Sequence, residues 1–325
     1  MSNLFKKVQE ERCYDSPMDE ESRKWYKIEI VQKMQKYIIA HAADESFDFE
    51  QLYAQTGYSK RHADRYFKEF LGKTPKEYLK LIRMTDSAKR LMAEQGTVLD
   101  AALEADFESH EGYTKAFREA FGKLPSEYKK GKSFIPLFVP YPISDYYNHV
   151  YGREKDEMEK NCLCMVTPVQ KPKRKLIFLR SKDASGACGG YWEFCQEMGC
   201  EWEGLLNSNP EKFDTAAFLT LPAALKREGY ALAAAGIEVP LEYDGEIPEG
   251  YEVAELEPCE MLYFQSQKFE NEEDFGTYLK AVFRAAEEYD YAGFGFVRDD
   301  TVAPVFNFGA DAKHGAKLAV PVRRV

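Results

Sequence analysis

Two stretches of this chain carry side chains whose types and spacing suit contact with a polyanion. The first, "GYSKRHADRYFKEFLGKTPKEYLK", starts at Gly57 and offers Lys60, Arg61, Asp64, Arg65 and Lys68. The second, "FESHEGYTKAFREAFGKLPSEYKK", starts at Phe107 and offers His110, Glu111, Thr114, Lys115 and Arg118. Ammonium and guanidinium groups neutralise phosphates, and with carboxylates and hydroxyls they can also meet the donors and acceptors on base edges. His62 and His110 are expected as surface polar or phosphate contacts rather than metal ligands. This chemistry needs its side chains on one exposed face of a rigid element.

The pattern supplies that element twice, fifty residues apart. Phe67, Gly72, Lys73, Pro75, Glu77 and Tyr78 recur as Phe117, Gly122, Lys123, Pro125, Glu127 and Tyr128. Ala63, Tyr66, Phe67, Phe70 and Leu71 fall at i, i+3, i+4, i+7 and i+8, one face of a helix. Tyr113, Ala116, Phe117, Ala120 and Phe121 echo them. Arg61, Asp64, Arg65 and Lys68 take the opposite face, as do Glu111, Thr114, Lys115 and Arg118. Ser59 and Ser109 stand at N-cap positions, and Gly72 and Gly122 stand where a helix stops.

A shorter helix is predicted before each unit, "FEQLYAQ" (49–55) and "LDAALEA" (99–105), joined by the turns "TGYS" and "DFES". Helix, tight turn and basic second helix form the helix-turn-helix pattern, whose partner is double-stranded DNA. "KEYLKLIRMTDSAKRLMAEQG" has helical spacing at Tyr78, Leu79, Ile82, Ala88, Leu91 and Met92. About 18 residues at ~1.5 Å each make a rod of ~27 Å. The two recognition helices are then expected roughly one DNA turn, ~34 Å, apart.

The formal net charge of −11 conceals this basic region. Residues 1–132 come to about +1, the remainder to roughly −12, and residues 59–90 to about +6. No stretch approaches the ~20 apolar residues of a membrane span, so no membrane partner is expected. The N-terminus is polar and lacks an apolar core of a signal peptide, which points to the cytoplasm. There are seven cysteines, an odd number, read as reduced thiols. Cys162-x-Cys164 and Cys195-x4-Cys200 lack a second ligand pair, so neither metal nor cofactor is expected.

Over residues 24–130 the chain resembles an AraC-type DNA-binding domain: two helix-turn-helix units joined by a long helix. "GYSKRHADRYFKEFLGKTPKEYL" and "DFESHEGYTKAFREAFGKLPSEY" both carry the family pattern. The resemblance assigns base-facing positions to Arg61, Asp64 and Arg65 in the first unit. In the second it assigns them to His110, Glu111, Thr114 and Lys115. Asp106 replaces the usual turn glycine, and Glu111 puts a carboxylate toward DNA. The first unit is therefore expected to dominate affinity.

Residues 131–164 form a Pro- and Tyr-rich connecting segment. Pro136, Pro140 and Pro142 exclude a helix there, and an extended path is expected, with "YGREKDEMEK" a short solvated helix. From about 165 the texture alternates. "KLIFLRS" (175–181), "TAAFLTLP" and "YALAAAGIEVP" predict strands around one helix over 190–206. "YEVAELEPCEMLYFQSQ", "GFGFV", "APVFNF" and "AKLAVPV" predict strands around a second helix over 272–289. Two β-α-β-β halves imply a pseudo-symmetric α+β domain. Phe264, Phe296 and Phe306 are expected in its core.

Residues 165–325 resemble the GyrI-like small-molecule-binding domain often fused to AraC-type regulators. That resemblance implies a cleft lined by aromatics and a carboxylate, taking small apolar or cationic compounds. Tyr191, Trp192, Trp202 and Glu203 are its candidates here. Glu203, Thr220 and Leu318 depart from the family's usual Trp, Trp and Glu. The fold class is thus multidomain, with an all-α double helix-turn-helix domain, preceded by an extension over 1–23 and followed by the α+β domain. The expected function is a transcription regulator with a small-molecule effector, RNA polymerase being a further partner, and without catalysis. A hydrolase or a drug-sequestering protein with an attached helix-turn-helix domain is the alternative. No Ser-His-Asp or Cys-His spacing supports the hydrolase.

Overall fold

The computed structural model describes residues 20–44, 46–93, 98, 107, 109–130, 133–150, 162–183, 190–271 and 274–325. The helix expected over 99–105, Asp106 and the run 151–160 lie outside these residues. The helical part comprises α1 Glu20–His41, α2 Phe49–Ala54, α3 Lys60–Leu71, α4 Pro75–Ala93, α5 His110–Phe121, α6 Pro125–Tyr128 and α7 Ile143–Val150. An antiparallel, sheet-rich region follows. By packing, the chain divides into two units: residues 1–80 with 142–147, and residues 81–141 with 148–325.

In the first unit α1 buries Ile28, Val31, Met34 and Ile38, while Leu52, Ala63 and Phe67 turn inward from α2 and α3. The Asp48 carboxylate caps α2, accepting from the N–H groups of Glu50 (2.8 Å) and Gln51 (3.1 Å). α3 stops at Gly72, whose φ of 70° is left-handed and suits glycine. α4 opens with a capping box. Glu77 accepts from the Thr74 N–H at 2.8 Å, and the Thr74 hydroxyl accepts from the Glu77 N–H at 3.3 Å. Residues 143–150 form α7 rather than the expected extended chain. The helix begins directly after Pro142, and two glutamines of α1 satisfy its first amides. Gln35 accepts from the Ile143 N–H (3.1 Å) and Gln32 from the Ser144 N–H (3.0 Å).

In the second unit α5 buries Tyr113, Ala116, Phe117 and Phe121 against Met84, Ala88 and Leu91 of α4 and Tyr128 of α6. The Ser109 hydroxyl caps α5 by accepting from the Gly112 N–H at 3.0 Å, and Gly122 (φ 74°) ends it. Residues 133–141 then run as a strap without helix or strand, turning at Pro136, where the Leu137 N–H bonds the Ile135 carbonyl at 2.9 Å. Ile135 and Leu137 join the α4–α5 core, whereas Phe134, next in sequence, joins the core beneath the sheet.

The strands are β1 Cys164–Lys171, β2 Arg174–Arg180, β3 Ala217–Thr220, β4 Ala233–Pro240, β5 Glu252–Leu256, β6 Cys259–Ser266, β7 Phe296–Arg298, β8 Val305–Asp311 and β9 Gly315–Arg324. They form one antiparallel sheet in the order β1-β6-β9-β8-β3-β4-β2-β5, with β7 on β9. β1 begins inside what the sequence reads as the connecting segment, and it pairs along its length with β6. The helices α8 Tyr191–Met198, α9 Glu201–Asn207 and α10 Phe275–Glu288 supply the remaining layer. Phe218 packs with α8 and pairs across strands with Asn307, while Leu219 and Phe306 pair on the other face. Phe264 and Phe306 are buried, as is Phe296, in agreement with their expected core positions.

The single helix expected over 190–206 is two. Gly199, at φ 80° and ψ 162°, leaves the helical region, and Cys200 starts a new turn into α9. Trp192 and Glu203 therefore do not share a helix face by an eleven-residue spacing.

Candidate functional site

The recognition helices α3 and α5 follow one pattern of exposure. Lys60, Arg61, Arg65 and Lys68 are exposed on α3, and His110, Glu111, Lys115 and Arg118 on α5. Asp64 and Thr114 are half-buried at equivalent positions. The first face thus carries four cations against one carboxylate, the second two against one.

Local contacts order the first face. The Tyr53 hydroxyl of α2 donates to the Asp64 carboxylate at 2.7 Å. Burial, reinforced by that carboxylate, raises the Tyr53 hydroxyl above its ordinary pKa. The Lys60 ammonium lies 5.7 Å from the Tyr53 ring centre, and the Arg65 guanidinium 5.2 Å from that of Tyr66. Ser59 occupies the N-cap position but does not cap the backbone. Its hydroxyl instead meets Nδ1 of His62 at 2.9 Å. In the second unit Thr114 takes the place of Asp64, and its hydroxyl has no partner among the described residues. An open groove of about 690 Å³ follows α5, lined by His110, Glu111, Thr114, Lys115, Arg118 and Leu124.

A second constellation sits at the break between α8 and α9. The Tyr191 hydroxyl donates to Glu203 at 2.8 Å, across the break. Burial raises the Glu203 carboxyl above its ordinary value, against the lowering effects of Tyr191 and of Lys89 on α4. Tyr191 is itself raised by burial and by the Glu203 charge. Ring centres of Tyr191 and Trp192 lie 5.0 Å apart, and those of Tyr141 and Trp192 5.6 Å. Tyr191 and Glu203 therefore meet by folding back rather than along one helix, and Trp192 adjoins the pair through the Tyr191 ring. Trp202 is placed differently: it is 3% exposed and packs in the core against Phe194 and Tyr191. Sequence reasoning missed Tyr141, whose only signal was its place in the aromatic strap.

The α9 helix also touches the second helix-turn-helix unit. The Tyr128 hydroxyl donates to the Ser208 carbonyl at 2.9 Å. The Ser208 hydroxyl accepts from the Ile135 N–H (3.0 Å) and donates to the Leu205 carbonyl (2.6 Å). Gly204 packs so closely on the strap that a Cβ would overlap the Leu137 backbone. Lys123, in the repeat itself, is ion-paired with Glu246. Among the described residues no group of three His, Cys, Asp or Glu side chains could hold a metal ion, and no helix is long and apolar enough to cross a membrane.

A helix-turn-helix unit over α2–α3, followed by a second amphipathic helix, α5, with an exposed face of the same layout but fewer cations, defines a DNA-binding protein of the transcription-regulator class. A helix-turn-helix domain model matches residues 52–131. The right origin-binding protein of Escherichia coli (strain K12) is 29% identical over 100 residues, 31% of this chain and 35% of that protein. The probable transcription factor PqrA of Proteus vulgaris is 32% identical over 87 residues, 27% of this chain and 71% of that protein. The structure of SAV2435 bound to tetraphenylphosphonium aligns with a TM-score of 0.33 at 18% identity, covering 49% of this chain and 94% of that one. The chain belongs to the AraC-type helix-turn-helix family of transcriptional regulators. It spans about a third of the length of the right origin-binding protein.

Proposed function

We propose that this regulator takes a small, flat, apolar cation beside Glu203 and reports it through α9 to the second helix-turn-helix unit. The Glu203–Tyr191 pair carries the reading: a half-buried carboxylate held by a hydroxyl, with the rings of Trp192 and Tyr141 alongside. Ring quadrupoles and a carboxylate in low dielectric favour the same class of ligand. The order of the sheet supports a reading as two pseudo-symmetric halves, β2–α8/α9–β3–β4 and β6–α10–β8–β9, meeting at β3 and β8. This reading agrees with the GyrI-like resemblance of the sequence.

No bond-making is needed. A cation that binds one arrangement of α9 better than another shifts the arrangement of what α9 touches, and hence affinity for double-stranded DNA or contact with RNA polymerase. The cytoplasm is the compartment this reading requires. The test is binding of N-methylacridinium and of uncharged acridine to the full chain, followed by tryptophan quenching. Glu203→Gln should weaken the cation roughly tenfold, or ~1.4 kcal/mol, and spare the neutral analogue. Equal loss for both would remove the carboxylate from the site.

A further inference from the structure

Asp64 is the one acidic side chain among the candidate DNA contacts of α3, and its spacing offers it three cations. Lys60 stands at i−4, Arg61 at i−3 and Lys68 at i+4, all within reach along a helix. Among the described residues none of the three pairs with it. The Tyr53 hydroxyl of α2 donates to Asp64 Oδ1 at 2.7 Å instead, from outside the recognition helix. Lys60 lies over the Tyr53 ring, 5.7 Å from its centre, and Arg65 over the Tyr66 ring at 5.2 Å. The cations of α3 are thus left to meet phosphates, and the carboxylate is held by a neutral donor.

That bond leaves one oxygen over. Asp64 is half-buried, and its Oδ2 is not enclosed and has no partner among the described residues. A carboxylate on a single helix turns about χ1 and χ2, whereas a bond from a second helix restricts both and gives Oδ2 one direction. The second repeat lacks this device. Thr114 stands fifty residues on from Asp64, and its buried hydroxyl has no partner among the described residues.

An acceptor that cannot donate selects among bases. In the major groove cytosine presents its N4 amine and no acceptor. Adenine sets the N7 acceptor beside its N6 amine, and guanine and thymine present acceptors that repel a carboxylate. From this geometry we propose that Tyr53 is a positioning residue for base recognition, holding Asp64 so that Oδ2 accepts from the N4 amine of one cytosine. Tyr53 acts through Asp64, so the proposal rests on α3 as the helix that reads DNA and is independent of the cation site.

The experiment selects duplexes from a randomised library with the full chain, without added effector, and repeats the selection with variants. The parent should enrich cytosine at one position, and Asp64→Ala should lose it there alone. Asp64→Asn should move that position toward adenine, which an amide meets at N6 and N7. Tyr53→Phe keeps the ring beneath Lys60 and removes only the hydroxyl. Its cytosine preference should fall at least several-fold, with the other positions and the slope of log K against log salt as in the parent. Adding Tyr53→Phe to Asp64→Ala should change the preference no further. A hydroxyl that only held the fold would lower affinity for every duplex alike. The proposal is overturned if the parent shows no cytosine that depends on Asp64, if Tyr53→Phe retains the full preference, or if it weakens all duplexes equally. Should Arg65→Ala and Asp64→Ala both leave the whole selected motif unchanged, α3 does not read bases and the proposal falls with that assignment.

Discussion

Tyr78 and Tyr128 occupy the same position in the two repeats, yet their hydroxyls are held by different parts of the chain. Tyr78 accepts from Gln35 of α1 at 2.7 Å, whereas Tyr128 donates to the Ser208 carbonyl after α9 at 2.9 Å. What α1 does for Tyr78, the end of α9 does for Tyr128.

Tyr128→Phe should cost about 0.5–1.5 kcal/mol of stability, the net worth of one hydrogen bond. It should also reduce the effect of the cation on DNA affinity. Tyr78→Phe is the control, with a similar stability cost and unchanged ligand response. Chemical denaturation and gel shifts with and without cation measure the two quantities, and equal ligand responses would show that Tyr128 transmits nothing.

Arg65→Ala should weaken binding to a cognate site by about 1–3 kcal/mol and relax preference at one base pair. Lys68→Ala should weaken all sequences alike and lower the slope of log K against log salt by about one. Binding titrations at several salt concentrations separate the two, and an unchanged cognate affinity in Arg65→Ala would refute its assignment to bases.

Glu111→Gln should strengthen non-specific DNA binding, because the exposed carboxylate opposes phosphates along a helix with only two cations. Lys115→Ala should in turn cost less than Arg65→Ala. Weaker binding of Glu111→Gln to every sequence would mean that the carboxylate accepts from a base or a side chain at the interface.

Gly204→Ala places a methyl group where the Leu137 backbone lies. Overpacking of this kind costs about 1–3 kcal/mol, more when backbone must move. Thermal denaturation should show the loss, and protease cleavage within 133–141 should accelerate. An unperturbed melting curve would mean that the strap yields freely.

The raised pKa of Glu203 sets a direction with pH. The folded chain holds this proton more tightly than the unfolded chain does. The group's contribution to stability is therefore complete below the ordinary value of 4.5 and is lost as pH rises through the higher folded value. Glu203→Gln should melt higher than the parent at neutral pH, with the difference vanishing in acid. Cation affinity should run the other way and strengthen as pH rises through the same value. Cation affinity independent of pH across that range would count against a charged Glu203 in the site.

The repeated motif was legible because its signals are local. A Gly at φ 70° or 74°, the Glu77 carboxylate on the Thr74 amide, and apolar positions at i, i+3 and i+4 all act within one or two turns. The break at Gly199 was not legible, because Tyr191, Phe194, Met198 and Trp202 continue an i, i+3, i+7, i+11 apolar periodicity through a glycine that helices can tolerate. Helix α7 was hidden because its first amides are satisfied by Gln32 and Gln35, more than a hundred residues away. At the candidate effector site, Glu203 and Tyr191 were chosen by type, but their contact depends on the fold-back. Trp202 belongs to the core, since one residue's offset on α9 turns it inward.

Phe134 and Ile135 are consecutive and enter different cores. With neighbouring side chains committed to separate cores, the strap works like a zipper row shared by two garments. A gene fusion that exchanged the helix-turn-helix half at residue 131 would leave one row of teeth without its mate. Replacement DNA readers that keep residues 81–141 with their sheet should stay soluble, whereas those spliced at 131 should expose Tyr128 and Ile135 sockets and aggregate. The unit in which such regulators can be recombined is then set by this short strap rather than by the boundary of the repeats.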